Sequence, residues 1–355
     1  MPDVVVAGAG MAGLAAAARA RELGASVRVL EKGSRPGGSM RLSSGFVWRY
    51  RDFDRFRAEC PRGDPALQRL VFERLDADVR WLEALGAPVV APETGTPFTT
   101  GARFEPRRLT DALVRAAGGV RLSEPLRELP RDVPVVLATG GFQGDRDLVR
   151  RYVTGEADEL LLRANPWSEG DGLRLALEAG AELSDGLGEF YGRNMPAPPA
   201  RVRADDFVSL AQLYARHARV VNERGEEWHC RTWSEIDVVQ WTARQPRARA
   251  VYLVSDRVLG ERVRGRTIRE MIGAAQAAGA HVERRGGETA VEVVAGITTT
   301  LGGVKIDVRA RASAREGLFA CGADAGGIST GGYSSGLAAA LVLGRIAGEE
   351  AAGSA

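Results

Sequence analysis

A glycine-rich turn between two short apolar segments constrains the fold of this chain more than any other feature. Residues 3–7 are almost entirely apolar, which favours a buried strand of a parallel sheet. Residues 8–13, Gly-Ala-Gly-Met-Ala-Gly, follow at once, and an alanine-rich helix is predicted to run to about Leu23. Residues 27–30 are predicted to form a second strand, which ends at Glu31. The order strand, turn, helix and strand predicts a βαβ unit.

Each glycine of this turn has a physical role in holding a dinucleotide. Gly8 makes the tight turn, Gly10 lets a pyrophosphate approach the backbone, and Gly13 lets the helix pack closely on the strand. The N-terminus of the helix offers unsatisfied N–H groups and a partial positive charge to the phosphates. Glu31 can accept hydrogen bonds from both ribose hydroxyls and disfavours a 2′-phosphate. The unit therefore predicts a bound dinucleotide other than NADP.

Later glycine-rich segments favour FAD over NAD. Residues 32–45 form a Gly/Ser-rich loop that is too short and too polar for a crossover helix. Residues 135–141 (VVLATGG) are predicted to form another buried strand that ends in a glycine pair. Residues 318–324 run from a strand into a turn, and residues 331–336 lead into a final helix whose N-terminus suits the pyrimidine carbonyls of a flavin. Together these segments predict FAD.

These segments resemble the flavoprotein family of fumarate reductase, succinate dehydrogenase and 3-ketosteroid Δ1-dehydrogenase. The resemblance is carried by the segments VVVAGAGMAGLAAA, EKGSRPGGS, VVLATGGF, NPWSEGDG, TLGGVKID and GLFACGADAGG, with the closing helix. The residues expected to contact FAD are Gly8, Gly10, Met11, Ala12, Gly13, Glu31, Lys32, Gly38, Ser39, Ser43, Ser44, Gly45, Ala138, Thr139, Gly140, Asp171, Asp324, Ser334, Ser335 and Leu337.

The resemblance implies an α/β fold with two domains. A Rossmann-like FAD-binding domain of the glutathione-reductase type is expected from residues 1–190 and 289–355, and an inserted α+β cap from residues 191–288. The substrate is expected between them. Two segments that a helical stretch usually separates in this family, residues 279–283 and 291–294, nearly abut here, so the cap is expected to be reduced.

The resemblance also implies hydride transfer between flavin N5 and an activated C–C bond, with a polar residue moving a proton at the neighbouring carbon. The family's catalytic Arg falls on Ile236, a substrate-binding His on Thr298 and a second Arg on Gly331. A neutral pocket cannot stabilise two desolvated carboxylates, so the expected substrate is a neutral small molecule and not fumarate or succinate. The loop that carries the covalent bond in some members contains no His, so FAD is expected to be non-covalent.

Two tyrosines are candidates for the proton-transfer residue. Tyr333 is the better placed of the two, because it lies in the glycine-rich turn predicted to face the flavin, although it could simply pack that turn. Tyr191 lies at the predicted start of the cap, where a surface loop is the alternative. The candidate substrate-binding residues are Arg193, Thr299, Thr330 and Trp48.

Composition excludes several other classes of protein. The chain has 48 basic and 46 acidic residues, a net charge of +2, which is too balanced for a nucleic-acid partner. Its three widely spaced cysteines argue against disulfides and a zinc site, and no apolar run approaches 18 residues, so a cytoplasmic protein without a membrane span is expected. The electron donor or acceptor stays open. Two other interpretations are a flavin oxidase or hydroxylase, and an FAD-binding protein whose catalytic groups have decayed.

Acid precipitation of the purified protein is expected to release FAD into the supernatant, because the cofactor loop has no histidine that could hold it covalently. The measurement is the identification of flavin in the supernatant and in the pellet. Flavin that stays with the pellet would contradict a non-covalent cofactor, and FMN in the supernatant would contradict a dinucleotide.

Overall fold

The computed structural model describes residues 2–354, with only the backbone at Arg285. The chain forms two compact units. The first unit runs to Asp145, then over Asn165–Glu189, and again from Thr299 onward. The second unit consists of Arg146–Ala164 and Phe190–Thr298.

The first unit carries the predicted βαβ unit at its start. Its strands and helices are β1 (Val4–Ala7), α1 (Met11–Glu22), β2 (Val27–Glu31), β3 (Phe46–Tyr50), α2 (Phe53–Glu59), α3 (Pro65–Ala84), β4 (Val89–Ala91), β5 (Thr99–Phe104), α4 (Pro106–Ala116), β6 (Arg121–Leu122), β7 (Val135–Leu137), α6 (Asp171–Glu178), β16 (Leu318–Ala320) and α9 (Gly336–Gly353). Strands and helices are numbered along the whole chain, so the remaining labels belong to elements of the second unit.

The second unit interrupts the first twice along the sequence. Its strands and helices are α5 (Arg146–Tyr152), β8 (Leu161–Leu162), β9 (Phe190–Pro196), β10 (Arg219–Val221), α7 (Ile236–Thr242), β11 (Arg249–Ser255), β12 (Arg262–Val263), β13 (Arg266–Thr267), α8 (Ile268–Ala277), β14 (Val282–Arg285) and β15 (Glu288–Thr300).

A five-stranded parallel sheet forms the centre of the first unit, in the order β16-β7-β1-β2-β6. Val4 of β1 pairs with Val27 of β2, and Val5 pairs with Val135 of β7. All four residues of β1 are buried, because strands of a parallel sheet are covered on both faces. A separate antiparallel sheet has the order β3-β5-β4. The parallel sheet and its helices confirm the predicted α/β class.

Small residues let α1 and α9 approach each other closely. A Cβ atom built on Gly344 would lie 2.4 Å from the carbonyl oxygen of Ala12, and one on Gly348 would lie 2.2 Å from that of Ala16. In each helix the two residues are four apart and therefore share one face. This contact fixes the position of α1, whose N-terminus follows the glycine-rich turn.

The second unit is built on an antiparallel sheet of order β10-β11-β15-β14, with β8 and β9 also paired to β15. Its core holds Tyr214, Trp228, Tyr252 and Met271. The predicted boundaries differ from the observed units at residues 146–164 and 289–298, which lie in the second unit. The physical reason is pairing of β8 with β15, where Leu161 lies opposite Gly296.

No helix within residues 2–354 is both long enough and apolar enough to cross a membrane.

Gly344→Ala is expected to lower the free energy of unfolding by about 1–3 kcal/mol, because the new methyl group collides with the backbone of α1 and overpacks this contact. The measurement is chemical denaturation of the holoprotein. The matched control is Gly353→Ala in the same helix, where no atom lies within 4 Å of the added Cβ. Equal stability of the two variants would contradict the close packing of α1 on α9.

Candidate functional site

The first glycine-rich turn is fixed by contacts that leave no room for side chains. Gly8 has φ +105°, and a Cβ atom on it would lie 2.1 Å from the carbonyl oxygen of Ala138. A Cβ atom on Gly13 would lie 1.9 Å from the carbonyl oxygen of Gly8. These two glycines therefore have structural roles, which agree with the roles predicted for the turn and for the helix contact.

Gly10 is different, because it faces open space. No protein atom lies within 4 Å of a Cβ built on it, and Gly38 of the following loop approaches its Cα. Gly10 is the N-cap of α1, and no side chain caps that helix end. The N–H groups of the first turn therefore stay available for an anion, as a pyrophosphate requires. Met11 and Ala12 are the first, buried residues of the helix.

Glu31 is buried and holds two loops together. Its carboxylate accepts a hydrogen bond from the N–H of Ala9 at 2.8 Å and another from the N–H of Gly33 at 2.7 Å. A carboxylate has about four acceptor positions, so roughly two of them remain for ribose hydroxyls. The residue thus fits the predicted contact and also stabilises the turn.

The second glycine-rich turn, residues 138–141 after β7, is held in place by Asp324, which is 1% exposed. Its carboxylate accepts hydrogen bonds from the N–H groups of Thr139 at 2.5 Å and Gly141 at 2.9 Å. Burial raises the pKa of Asp324 above its usual value, although these hydrogen bonds act in the opposite direction. Gly140, with φ +101°, lies between them and faces Ser168.

The segment that contains Asn165 and Ser168 connects the loop at residues 32–45 with the second glycine-rich turn, and these two residues were not predicted as site residues. The backbone N–H of Asn165 donates to Ser39 Oγ at 3.2 Å, and its side-chain amide donates to Ser168 Oγ at 2.9 Å. The amide nitrogen also lies 3.7 Å from a Cβ built on Gly38. The only signal in the sequence was the cluster of turn-forming residues in NPWSEGDG.

Several predicted cofactor residues are engaged within their own loops. Ser43 Oγ donates to the carbonyl of Met40 at 2.7 Å, and Gly45 donates its N–H to Ser43 Oγ at 3.0 Å. The carbonyl of Ser44 accepts from Arg103. Lys32 forms ion pairs with Glu169 at 2.5 Å and with Asp171 at 2.8 Å. Their contact with FAD stays a prediction.

The C-terminal helix begins at a serine pair. Ser335 Oγ accepts a hydrogen bond from the N–H of Ala338 at 3.2 Å and so caps α9, while Ser334 Oγ shares one with Ser329 Oγ at 2.7 Å. Leu337 lies in the first turn of the helix. The N–H of Ala338 at this helix end is therefore already satisfied by the protein.

Tyr333 lies just before this helix. Its hydroxyl accepts a hydrogen bond from the N–H of Gly336 at 3.4 Å, its carbonyl accepts one from Tyr50, and its ring lies 6.1 Å from that of Trp48. Thr330 is fully buried against Gly186. The hydroxyl of Thr299 donates to the carbonyl of Thr300 at 3.3 Å. The proton-transfer role of Tyr333 and the substrate contacts of Trp48, Thr299 and Thr330 stay predictions.

Within the second unit, arginines surround Tyr191. The guanidinium carbon of Arg193 lies 5.3 Å from the centre of the tyrosine ring. Burial opposes ionisation of the phenol, but the charges of Arg193, Arg163 and Arg264 and a hydrogen bond with Arg193 outweigh it and lower the pKa of Tyr191 to about 8. A tyrosine in this state can both give and take a proton near neutral pH.

Ile236 and Thr298 stand at the positions where fumarate reductase and succinate dehydrogenase are expected to carry an arginine and a histidine. Ile236 is 1% exposed at the start of α7, so it offers no polar group there. Thr298 Oγ1 accepts a hydrogen bond from Arg163 at 3.0 Å. The neighbourhood of Thr298 and Tyr191 therefore carries positive charge, which the positional comparison with that family did not predict.

A family model described as FAD binding domain matches residues 3–125 and 104–336 of the chain. A vinyl phenol reductase from Lactiplantibacillus plantarum is 25% identical over 248 residues, which cover 55% of this chain and 49% of that protein. The chain thus spans about half the length of this curated relative.

Solved flavoproteins share the fold. A flavocytochrome c3 fumarate reductase in its open conformation has a TM-score of 0.74 at 21% identity, over 99% of this chain and 78% of that one. The 3-ketosteroid-Δ4-(5α)-dehydrogenase of Rhodococcus jostii RHA1 has a TM-score of 0.73 at 20% identity, over 99% and 96%. The 3-ketosteroid Δ1-dehydrogenase of Sterolibacterium denitrificans has a TM-score of 0.74 at 15% identity, over the whole of both chains.

Gly10→Val is expected to weaken FAD retention at least about tenfold, which is about 1.4 kcal/mol, while the apoprotein keeps its stability. A Cβ atom at this position has no protein atom within 4 Å, so the new side chain projects into the space expected for the pyrophosphate. The measurements are flavin content after gel filtration and the melting temperature of the apoprotein.

Gly13→Val is the contrasting control, because its side chain collides with the backbone of Gly8 and the fold itself should suffer. Full flavin content in Gly10→Val would show that the pyrophosphate does not lie at this turn.

Proposed function

Because the chain belongs to the FAD binding domain family, we propose that it is an FAD-dependent oxidoreductase that reduces or desaturates an activated C–C bond of a small molecule. The open turn at Gly10, the uncapped end of α1 and the remaining acceptor positions of Glu31 fit the diphosphate and ribose of FAD. When bound, FAD supplies the donor or acceptor of the hydride.

The observation that carries the proposal is the setting of Tyr191. Saturating a C=C bond needs a hydride at one carbon and a proton at the other. In this direction the Tyr191 hydroxyl gives its proton to the second carbon, and the solvent later returns one to the phenolate. Arg193 and Arg163 stabilise the phenolate that is left. In the direction of desaturation the phenolate takes the proton while the hydride leaves the other carbon.

Tyr191 is favoured over Tyr333, which the sequence made the stronger candidate. Three arginines act on Tyr191 and lower its pKa to about 8, whereas the hydroxyl of Tyr333 accepts a hydrogen bond at 3.4 Å from the N–H of Gly336. Charge of this kind lowers the cost of forming a phenolate, which is what a proton-transfer tyrosine needs.

The substrate that fits best has its C–C bond conjugated to a carbonyl or an aromatic ring. The curated relative is named for the reduction of a vinyl phenol, and two structural neighbours are named as ketosteroid dehydrogenases. Fumarate and succinate are not the proposed substrates, because the buried Ile236 stands where those enzymes carry their catalytic arginine, and the arginine charge of this unit acts on Tyr191 instead.

Tyr191→Phe is expected to lower the rate of alkene reduction by about 10²–10⁴-fold, the usual contribution of a general acid, with flavin content unchanged. The measurement is anaerobic single turnover of the reduced holoprotein with a vinyl phenol and with an α,β-unsaturated ketone, followed by the return of oxidised-flavin absorbance. Fumarate serves as a compound expected to react poorly.

Tyr333→Phe is the matched comparison and should retain most of the rate. The opposite pattern would assign the proton to Tyr333. Rapid peroxide formation with O2, with no reaction of any alkene, would favour an oxidase or hydroxylase instead.

A further inference from the structure

Glu235, at the N-cap of α7, has a backbone conformation that side chains with a Cβ rarely adopt. Its φ is +54° and its ψ is 28°, in the left-handed region. Such residues persist only where their surroundings hold them, and they cluster at functional sites. The side chain is also poorly accessible, at 13% exposure.

Two arginines hold this corner of the second unit. The carboxylate of Glu235 accepts a hydrogen bond from the backbone N–H of Arg216 at 2.9 Å and lies 3.4 Å from its guanidinium. The carbonyl of the preceding residue, Ser234, accepts a hydrogen bond from Arg193 at 2.7 Å. Arg193 is therefore tied to the segment that carries Glu235 and also lies beside the ring of Tyr191.

The charges around this corner act on one another. Burial raises the pKa of Glu235, while Arg193, Arg216 and Arg264 act to lower it. Arg193 and Arg264 are also among the charges that lower the pKa of Tyr191. Arg193 and Arg264 thus stabilise both the Glu235 carboxylate and the Tyr191 phenolate. A negative charge on one of these two groups makes ionisation of the other less favourable.

We propose that Glu235 is a positioning residue which, through Arg193, sets how readily Tyr191 releases its proton. Its negative charge opposes formation of the phenolate and so keeps most of Tyr191 protonated near neutral pH, where the residue can serve as an acid as well as a base. The consequence for the reaction rate rests on the proposed function, but the effect of Glu235 on the ionisation of Tyr191 does not. The charged and titratable groups around the pair in the second unit include Arg163, Arg193, Arg216, Cys230, Asp237, Tyr252 and Arg264.

The test is a tyrosinate titration of the holoprotein by difference absorbance, without substrate. Burial raises the pKa of Tyr50, Tyr214 and Tyr252, so these residues do not titrate near pH 8. The wild type should show a tyrosinate transition near pH 8, and Tyr191→Phe should remove it.

Glu235→Gln is expected to move this midpoint down by about half a pH unit or more, because removal of a negative charge favours the phenolate. Glu235→Asp keeps the negative charge, so its tyrosinate titration should have a midpoint close to that of the wild type. The matched control, Glu227→Gln, replaces an exposed carboxylate of the same unit and should leave the midpoint unchanged. Glu235→Gly suits the positive φ and serves if the Gln variant folds poorly, since it removes the charge without the strain.

An unchanged midpoint in both Glu235→Gln and Glu235→Gly would overturn the inference, as would an equal shift in Glu227→Gln. The two proposals fail separately. A shifted midpoint in a protein that reduces no alkene would count against the proposed function only. Alkene reduction whose pH profile follows Tyr191 but ignores Glu235 would count against the inference only.

Discussion

The cofactor site depends on the close contact between Gly13, in the first turn of α1, and the carbonyl oxygen of Gly8. A side chain at either glycine would collide with backbone, so β1, the turn and α1 form one rigid piece. The same turn touches Ala138 at the end of β7, and Gly344 and Gly348 of α9 hold α1 from another side. Of the three glycines in this turn, Gly10 is the one with open space in front of it, and an anionic ligand is expected to bind there.

The remaining contacts connect distant parts of the first unit to this piece. Glu31 joins the end of β2 to Ala9, and Asp324 joins the C-terminal segment to the second glycine-rich turn. Each uses a buried carboxylate that accepts hydrogen bonds from two backbone N–H groups. Such a carboxylate fixes loop geometry more firmly than an exposed ion pair, because loss of either partner leaves a buried polar group unsatisfied.

The sequence predicted the features that depend on local spacing. The glycine-rich turn, the helix after it and the strand that ends at Glu31 are all encoded within one short stretch, and the structure has these elements as expected, while the ribose contact of Glu31 stays a prediction. The roles of Asn165 and Ser168 were missed because their partners, Ser39 and Gly140, come from other loops.

The surroundings of Tyr191 show the same limit more clearly. Arg163, Arg193 and Arg264 come from three separate segments, and their charges act on one phenol only once the second unit has folded. A comparison by position found Ile236 and Thr298 in place of charged groups and so predicted a neutral site. Charge supplied from elsewhere in the chain is invisible to that comparison.

The most direct test of the account is the pH dependence of both reaction directions in one preparation. If Tyr191 moves the proton, reduction needs the phenol and its rate should fall as the pH rises through about 8. Desaturation needs the phenolate, and its rate should rise through the same midpoint. Mirror-image profiles with a shared midpoint are the predicted result. Profiles that change in the same direction, or that show no transition in this range, would contradict the assignment of proton transfer to Tyr191.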